Sequence, residues 1–123
     1  MLFIRDGILD FIQLDLIQPY ENVLKNGINL DEFALLAKCN GLDTELYRPG
    51  TTTKELFLEN IKRITQRSDE YLAVSYDRGT LQQTGIGHYS PIGGYNPENN
   101  MVLILDVARF KYPSYWVSVD LLW

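Results

Sequence analysis

Two apolar segments on either side of a cluster of turn-forming residues constrain the fold of this chain more than any other feature. The segments cover residues 83–95 and 101–113, and the sequence between them is Asn96-Pro97-Glu98-Asn99-Asn100. Asparagine and proline favour turns because they readily adopt the backbone angles that turns require. Two apolar runs joined in this way are typical of an antiparallel hairpin. The sequence therefore predicts that the two segments pair as neighbouring strands.

The predicted hairpin brings His88, the only histidine of the chain, towards Asp106. If the turn is centred on Pro97, their Cβ atoms lie directly opposite at about 5 Å; if it is centred on Glu98, they are diagonal neighbours at about 7–8 Å. A centre between these two turn residues puts the side chains on opposite faces, because side chains alternate with a period of two. A bulge at residues 93–94 would change the register again.

An imidazole paired with a carboxylate has both a catalytic use and a purely structural one. In catalysis the carboxylate holds one ring N–H, fixes the tautomer and stabilises the imidazolium. The other ring nitrogen then acts as a base towards a nucleophile. The structural alternative is a lone histidine whose hydrogen bond is satisfied by a nearby carboxylate. Two of the three simplest registers give the pair, and the spacing alone leaves both interpretations open.

Elements upstream of the hairpin are predicted to be mainly helical. Helices are expected over about residues 19–25, 30–39 and 53–66, and short strands over residues 44–47 and 71–76. The last two helices begin with the spacing of a capping box, Asn29 with Glu32 and Thr52 with Glu55. Their apolar stripes are Leu30, Phe33, Ala34 and Ala37 in the first, and Phe57, Ile61 and Ile64 in the second. Helices followed by antiparallel strands indicate an α+β fold.

The hairpin segments resemble the phytochelatin synthase family. The resemblance lies in QTG-G-H-SPIGGY within residues 83–95 and in LILDVARFKYP-YW within residues 103–116, and weaker similarity extends back through Lys38-Cys39-Asn40-Gly41 to about Leu14. Members of this family have a papain-like cysteine-peptidase fold and make (γ-Glu-Cys)n-Gly peptides from glutathione. The resemblance implies one partial catalytic domain over residues 1–123, with residues 1–13 poorly matched and the papain-like fold incomplete.

The resemblance also implies roles for individual residues. His88 and Asp106 would be the second and third members of a Cys-His-Asp triad, whose cysteine and oxyanion-hole side chain would precede Met1. Basic side chains bind the carboxylates of glutathione, and solvated surface charges are the alternative interpretation of such residues. Three basic positions match ones near the acceptor side of the site: Arg78, Arg109 and Lys111.

Cys39, the only cysteine of the chain, is expected to be structural. A catalytic thiolate is stabilised at the N-terminus of a helix, which lowers the thiol pKa. Cys39 instead precedes Asn40-Gly41, a pair that typically ends a helix, and the negative end of the helix dipole disfavours a thiolate. It also lies four residues after Leu35, so we expect it to pack as a small apolar side chain. The family resemblance matches it to a non-catalytic position.

Composition limits the partners and the compartment. A chain of 123 residues, of which 46% are hydrophobic, forms at most one domain with a real core. A net charge of −5 argues against nucleic acid or anionic membranes as partners. No apolar run approaches the roughly 20 residues of a membrane span. The apolar run within residues 1–6 is too short for a signal peptide. A single cysteine excludes an intramolecular disulfide and indicates a reducing compartment such as the cytoplasm.

No metal site or bound cofactor can be recognised in the sequence. One cysteine and one histidine cannot form a zinc site, and no group of carboxylates has the spacing of a calcium loop. By resemblance, cadmium and zinc act as activators or enter as metal–glutathione thiolates, which would be substrates beside glutathione itself. The apolar residues 115–123 are unlike a typical chain end. We therefore expect a missing neighbour, either a second copy or the absent N-terminal segment.

The functional hypothesis is therefore a glutathione gamma-glutamylcysteinyltransferase, an acyltransferase acting in heavy-metal detoxification, of which this chain supplies the histidine and the aspartate. A glutathione hydrolase that releases glycine is the alternative within the same chemistry. The alternative outside the enzymes is a non-catalytic domain, which becomes active only if a partner segment supplies the nucleophile.

Overall fold

A computed structural model describes residues 1–5 and 19–123 of the chain. Most of the poorly matched segment 1–13 lies outside the described residues. In chain order the elements are β1 (Leu2–Arg5), α1 (Tyr20–Asn26), α2 (Leu30–Cys39), β2 (Asp43–Leu46), α3 (Lys54–Ile64), β3 (Glu70–Asp77), β4 (Gly87–Asn96), β5 (Met101–Ile104), β6 (Tyr115–Ser118) and α4 (Val119–Leu122). The strands form one six-stranded sheet in the order β2-β1-β3-β4-β5-β6, and each neighbouring pair is antiparallel.

The predicted α+β class is confirmed, and β2 overlaps the short strand expected over residues 44–47, but β1 was not predicted. β1 precedes the described helices, and β2 lies between α2 and α3. β1 pairs with β2 on one side and with β3 on the other, where Leu2 lies opposite Ala73. Strands of four residues are stabilised mainly by their neighbours in the sheet. The local sequence of β1 therefore carried no signal strong enough to predict it.

The start of α2 is the one the sequence predicts. The side chain of Asn29 accepts hydrogen bonds from the backbone N–H groups of Asp31 and Glu32, each at 3.0 Å. The Glu32 carboxylate in turn accepts from the N–H of Asn29 at 2.7 Å. This capping box satisfies N–H groups that have no partner within the helix.

The predicted capping box of α3 is wrong by one residue. Thr52 forms an isolated β-bridge with Pro49 and lies one residue before the N-cap position. Thr53 takes that position, and its hydroxyl accepts from the N–H of Leu56 at 3.2 Å. The predicted apolar stripe of this helix is confirmed, because all three of its members are buried: Phe57, Ile61 and Ile64.

The sheet has one face covered by α3 and α4, called here the first face, and a second face covered by α2. On the first face the buried side chains of α3 pack with those of the central strands, among them Leu72, Val74, Ile92, Val102 and Ile104. On the second face Ala34 of α2 packs against Leu2 and Ala73. Because side chains alternate along a strand, even-numbered residues of β3 and of the first part of β4 point to the first face.

The β4–β5 hairpin contains the bulge that the two glycines suggested. Tyr95 lies opposite Val102, but two steps further along, Ile92 lies opposite Ile104, so β4 holds one extra residue at Gly93. The pairing continues past the end of β5, where the N–H of Leu105 donates to the carbonyl of Pro91 at 3.0 Å. The bulge restores the register of a turn centred on Glu98, which is one of the three registers considered above.

The remainder of the second apolar segment departs from the prediction. Strand β5 ends at Ile104, and the chain then forms turns, in which the carbonyl of Ala108 accepts from the N–H groups of Lys111 and Tyr112 at 2.8 and 3.1 Å. The apolar C-terminal residues form β6 and α4, where Val119 is fully buried and the ring centroid of Trp123 lies 5.5 Å from that of Phe57. Within the described ranges, no helix has the length and apolarity needed to cross a membrane.

Candidate active site

The histidine and the aspartate singled out in the sequence are in contact. His88 lies in the first part of β4, directly opposite Tyr76 of β3, and both side chains point to the first face. Asp106 follows β5 by two residues and reaches the same face because of the bulge at Gly93. The Nε2 atom of His88 lies 3.1 Å from Oδ1 of Asp106. The pairing that two of three registers predicted is therefore present.

Asp106 is buried and is held by a charge and by a backbone amide. The side chain of Arg78 donates to both carboxylate oxygens, each at 2.9 Å, and the N–H of Ala108 donates to Oδ1 at 2.8 Å. Only 2% of Asp106 is exposed. Burial opposes ionisation, but the Arg78 hydrogen bonds and the Ala108 amide outweigh it and lower the pKa of Asp106 to about 2. The group is therefore a carboxylate at neutral pH.

The hydrogen bond to Asp106 fixes the tautomer of His88. Since a carboxylate can only accept, Nε2 of His88 must carry the proton, and Nδ1 of the neutral ring has a free lone pair. Among the described residues, no group is hydrogen-bonded to Nδ1, and about a fifth of the side chain is exposed. Desolvation and the charge of Arg78 lower the pKa of His88 below its usual value and outweigh the opposing effect of Asp106. The ring is neutral at pH 7, with Nδ1 able to accept a proton.

Arg78 occupies neither of the two environments considered for it. It is only 4% exposed, so it is not a solvated surface charge, and its guanidinium is already bound to Asp106. Its Nη1 also donates to Oε1 of Gln83 at 2.6 Å, and its Cζ lies 4.8 Å from the ring centroid of Tyr112. At Gly85, where φ is +116°, a Cβ would come within 3.2 Å of the Arg78 side chain. The glycine thus leaves room for the buried arginine.

A network of hydroxyl groups under Asp106 was not predicted. The hydroxyl of Tyr76 lies 2.9 Å from that of Tyr115 and 3.2 Å from that of Ser90, and both tyrosines donate to Oδ2 of Asp106 at 3.4 Å. Burial raises the pKa of Tyr76. Once His88 is placed on the first face, alternation along β4 puts Ser90 beside it, and the β3–β4 register adds Tyr76. That register is the signal by which these residues could have been found.

The other two basic residues predicted to bind substrate lie on the turn that follows Asp106. Arg109 and Lys111 are exposed, and neither forms an ion pair with another described residue. The hydroxyl of Tyr112 accepts from the N–H of Thr84 at 2.8 Å, which ties this turn to the loop before β4. Two exposed cations therefore lie on the turn that follows Asp106. The described residues include no group of three or more histidine, cysteine, aspartate and glutamate side chains that could hold a metal ion.

Cys39 lies on the opposite side of the sheet from the His88 imidazole. It is the last residue of α2, which packs on the second face of the sheet against Leu2 and Ala73. The side chains of His88 and Tyr76 point to the first face. The sheet thus separates the only thiol from the imidazole, in agreement with the helix-end argument from the sequence. Cys39 and Leu35 do not form a buried pair, because Leu35 is half exposed.

Comparison with known proteins decides the family. The family model described as phytochelatin synthase matches residues 7–123, which extends the similarity further towards the N-terminus than Leu14. The chain belongs to the phytochelatin synthase family. The phytochelatin synthase motifs at residues 83–95 and 103–116 therefore coincide with the strands and turn that carry His88, Asp106, Arg109 and Lys111.

The curated relatives of this chain are longer than it is. It is 46% identical over 114 residues to glutathione gamma-glutamylcysteinyltransferase 3 of Lotus japonicus, which covers 93% of this chain and 24% of that protein. It is 44% identical to glutathione gamma-glutamylcysteinyltransferase 1 of Arabidopsis thaliana over the same shares. The Schizosaccharomyces pombe glutathione gamma-glutamylcysteinyltransferase is 40% identical, over 93% of this chain and 28% of that protein. The chain thus spans about a quarter of the length of these relatives.

Proposed function

We propose that this chain supplies the base and the orienting carboxylate of a γ-glutamylcysteine transpeptidase that builds phytochelatins from glutathione. The observation that carries the proposal is the His88–Asp106 contact at 3.1 Å, which leaves Nδ1 of a neutral imidazole free. Two exposed cations on the adjoining turn suit a substrate with two carboxylates. The family and the names of its curated relatives add the reaction class. A papain-like arrangement, in which a cysteine lies against Nδ1, is part of the same proposal.

The proposed reaction has two halves. The cysteine thiol passes its proton to Nδ1 of His88 as its sulfur attacks the carbonyl carbon of the Cys–Gly amide of one glutathione. A C–S bond forms, and the C–N bond breaks as Nδ1 of His88 hands that proton to the leaving glycine amine. The α-amino group of a second glutathione then attacks the thioester, Nδ1 of His88 takes the amine proton, and the thiolate leaves. Asp106 keeps Nε2–H oriented and stabilises the imidazolium in both halves. Metal–glutathione thiolates of cadmium or zinc enter as substrates.

The nucleophile in this proposal is a cysteine outside the 123-residue sequence. Cys39 is on the other face of the sheet, and it is the only cysteine present. A partner segment must therefore bring the thiol to Nδ1 of His88. The chain alone should release no glycine from glutathione.

A graft tests the proposal. The matched segment of the Lotus japonicus enzyme is replaced by residues 7–123 of this chain, and the product is incubated with glutathione and cadmium. We expect (γ-Glu-Cys)n-Gly peptides longer than glutathione, detected by mass spectrometry. His88→Ala in the same graft should lower the rate about 10²–10⁴-fold, as is typical when a general base is removed. If γ-Glu-Cys and glycine were the only products, the reaction would be hydrolysis of glutathione and not transfer.

Assays of the unmodified chain complete the test. Glycine release by the 123-residue chain that disappears in Cys39→Ser would overturn the assignment of the nucleophile to another segment. A graft that folds, binds glutathione and transfers nothing, with or without cadmium, would refute the proposed function as a whole.

A further inference from the structure

The charges around His88 add up to a cluster that disfavours protonation of its ring. Asp106 supplies one negative charge, and both of its oxygens are bound by Arg78, which supplies one positive charge. Both side chains are almost completely buried, so water screens them little. The His88–Asp106 pair is therefore not a simple base–carboxylate pair, because the carboxylate is already neutralised by a second buried partner.

We propose that Arg78 is a positioning residue that aims Asp106 at His88 and, by taking both carboxylate oxygens, keeps the resting His88 imidazole neutral. Its position explains both effects. The bidentate contact fixes the plane of the carboxylate and directs Oδ1 to Nε2 of His88, while the positive charge cancels the field that would stabilise an imidazolium. A lysine would keep the positive charge that holds the imidazole neutral, although it cannot form such a fork.

Other groups near the ring do not supply a competing charge. Tyr76 of β3 contacts the ring edge-on, with centroids 5.8 Å apart, and Tyr115 of β6 reaches Asp106. Both tyrosines present hydroxyl groups to the carboxylate. Tyr112, on the turn before β6, lies over the guanidinium of Arg78. On the loop between β3 and β4, Gln83 is uncharged. Among the described residues of the cluster, Arg78 and Asp106 are thus the charges that decide the protonation of His88.

This inference rests on the proposed function for its catalytic meaning. With Arg78 in place, the site would rest as a neutral imidazole facing a protonated thiol, and His88 would take the thiol proton as the thiolate attacks. Without Arg78, the unopposed Asp106 carboxylate would favour a preformed imidazolium. Arg78 would thus determine whether Nδ1 is available as a base at neutral pH.

The protonation of His88 can be measured directly in the 123-residue chain. His88 is the only histidine, so its ring Cε1–H signal in a ¹H–¹³C NMR spectrum needs no assignment, and a pH titration of that signal requires no substrate. We expect the pKa of His88 in the wild-type chain to lie below its usual value. Arg78→Gln should raise it by about one pH unit. Arg78→Lys, which keeps the charge, should remain close to the wild type.

Controls separate the charge effect from a loss of structure. Arg67→Gln removes an arginine from the surface at the far end of β3, where it pairs with Asp69, and should leave the titration unchanged. If Arg78→Gln unfolds, the comparison is made in Asp106→Asn, where no buried carboxylate is left unpaired. There we expect a lower pKa for His88 than in the wild type, and a rise when Arg78→Gln is added.

The outcomes distinguish this inference from the proposed function. Equal His88 titrations with and without Arg78, in a folded chain, would overturn the inference and leave the transfer reaction untouched. A graft without transferase activity would refute the proposed function and leave the titration result standing. In an active graft, Arg78→Gln should shift the acidic limb of the pH–rate profile upwards, and Arg78→Lys should restore it.

Discussion

A Cβ atom on Gly93 would lie 2.7 Å from Cγ of Leu105, closer than side-chain atoms approach in folded proteins. This contact occurs at the bulge that shifts the β4–β5 register, and Leu105 immediately precedes Asp106. Without the extra residue in β4, alternation along the strand would turn Asp106 away from His88. Gly93, which lies on the same strand as His88, therefore determines whether the candidate pair can form.

Gly93→Ala should disturb that pair. The new methyl group overlaps the branched part of the Leu105 side chain, so the backbone has to move, and we expect a loss of about 1–3 kcal/mol of stability. The His88 ring signal should shift as its contact with Asp106 is broken. Urea unfolding and the NMR spectrum measure both effects.

Gly94→Ala is the matched control for this substitution. A Cβ there would lie 3.6 Å from Cβ of Leu103, an ordinary contact. We expect a change within about 0.5 kcal/mol and an unchanged His88 signal. Leu105→Ala should recover part of the stability lost in Gly93→Ala, because the two positions are in contact. Equal effects of the two glycine substitutions would show that the bulge does not need Gly93.

Local sequence signals predicted the elements that depend on local interactions. The cap at Asn29 and the buried stripe of α3 follow from hydrogen bonding and helical periodicity within a few residues. β1 was not predicted, because its strand partners are more than 35 residues away. Thr53 rather than Thr52 caps α3, and the spacing of a capping box did not reveal the short-range bridge between Thr52 and Pro49.

The candidate site was predicted in its centre and not in its surroundings. The family motifs and the hairpin register pointed to His88 and Asp106. The burial of Arg78 could not be predicted from these signals, because an arginine near the end of a strand is exposed in most proteins. Its burial depends on the packing of Tyr112 and on the carboxylate of Asp106, and neither of these two contacts is local in the sequence.

Acid should unfold the chain partly through Asp106. The pKa of this group is about 2 in the folded chain against an ordinary value of 3.8, so the unfolded chain binds the proton first as the pH falls. The stabilisation is complete above pH 3.8 and is lost as the pH falls through about 2, which amounts to about 2 kcal/mol. Urea unfolding between pH 5 and pH 2 measures it.

The variant Asp106→Asn isolates this contribution. It should be less stable at every pH, by about 3–5 kcal/mol, because Arg78 is left buried without its charge partner. Its dependence on pH below 4 should be weaker than that of the wild type. Asp43→Asn, at an exposed position in β2, should keep the wild-type dependence. An unchanged acid transition in Asp106→Asn would contradict the assignment.

Tyr76→Phe should measure how much the hydroxyl network contributes to the stability of the fold. The substitution removes a buried group that is bonded to Ser90, Tyr115 and Asp106, and it leaves Ser90 without this partner. We expect a loss of about 1–2 kcal/mol. Tyr20→Phe, at an exposed position of α1, serves as the control and should change stability by less than about 0.5 kcal/mol. Equal unfolding midpoints for the two variants would show that the network adds no stability.

Cys39→Ser should have little effect on either fold or reaction. The thiol is half-buried at the end of α2, and no ion pair or hydrogen bond of a described residue depends on it, so we expect a cost of about 1 kcal/mol or less. In the active graft the transfer rate should equal that of the unsubstituted graft. If the Cys39→Ser graft lost as much transfer rate as the His88→Ala graft, the thiol would take part in the reaction despite its position on the second face.

Arg109 and Lys111 are the basic residues expected to bind substrate. Their charges are exposed and not paired with other described residues, whereas Arg78 is bound to Asp106. If they bind the carboxylates of glutathione, Arg109→Gln and Lys111→Gln in the graft should each raise KM about tenfold, which is the size of one charge-assisted hydrogen bond. Stability should not change, because both side chains lie at the surface. Lys25→Gln, which removes an exposed charge at the end of α1, controls for the change in net charge. A KM that rises equally in all three variants would mean that glutathione responds to the overall field of the protein rather than to this turn.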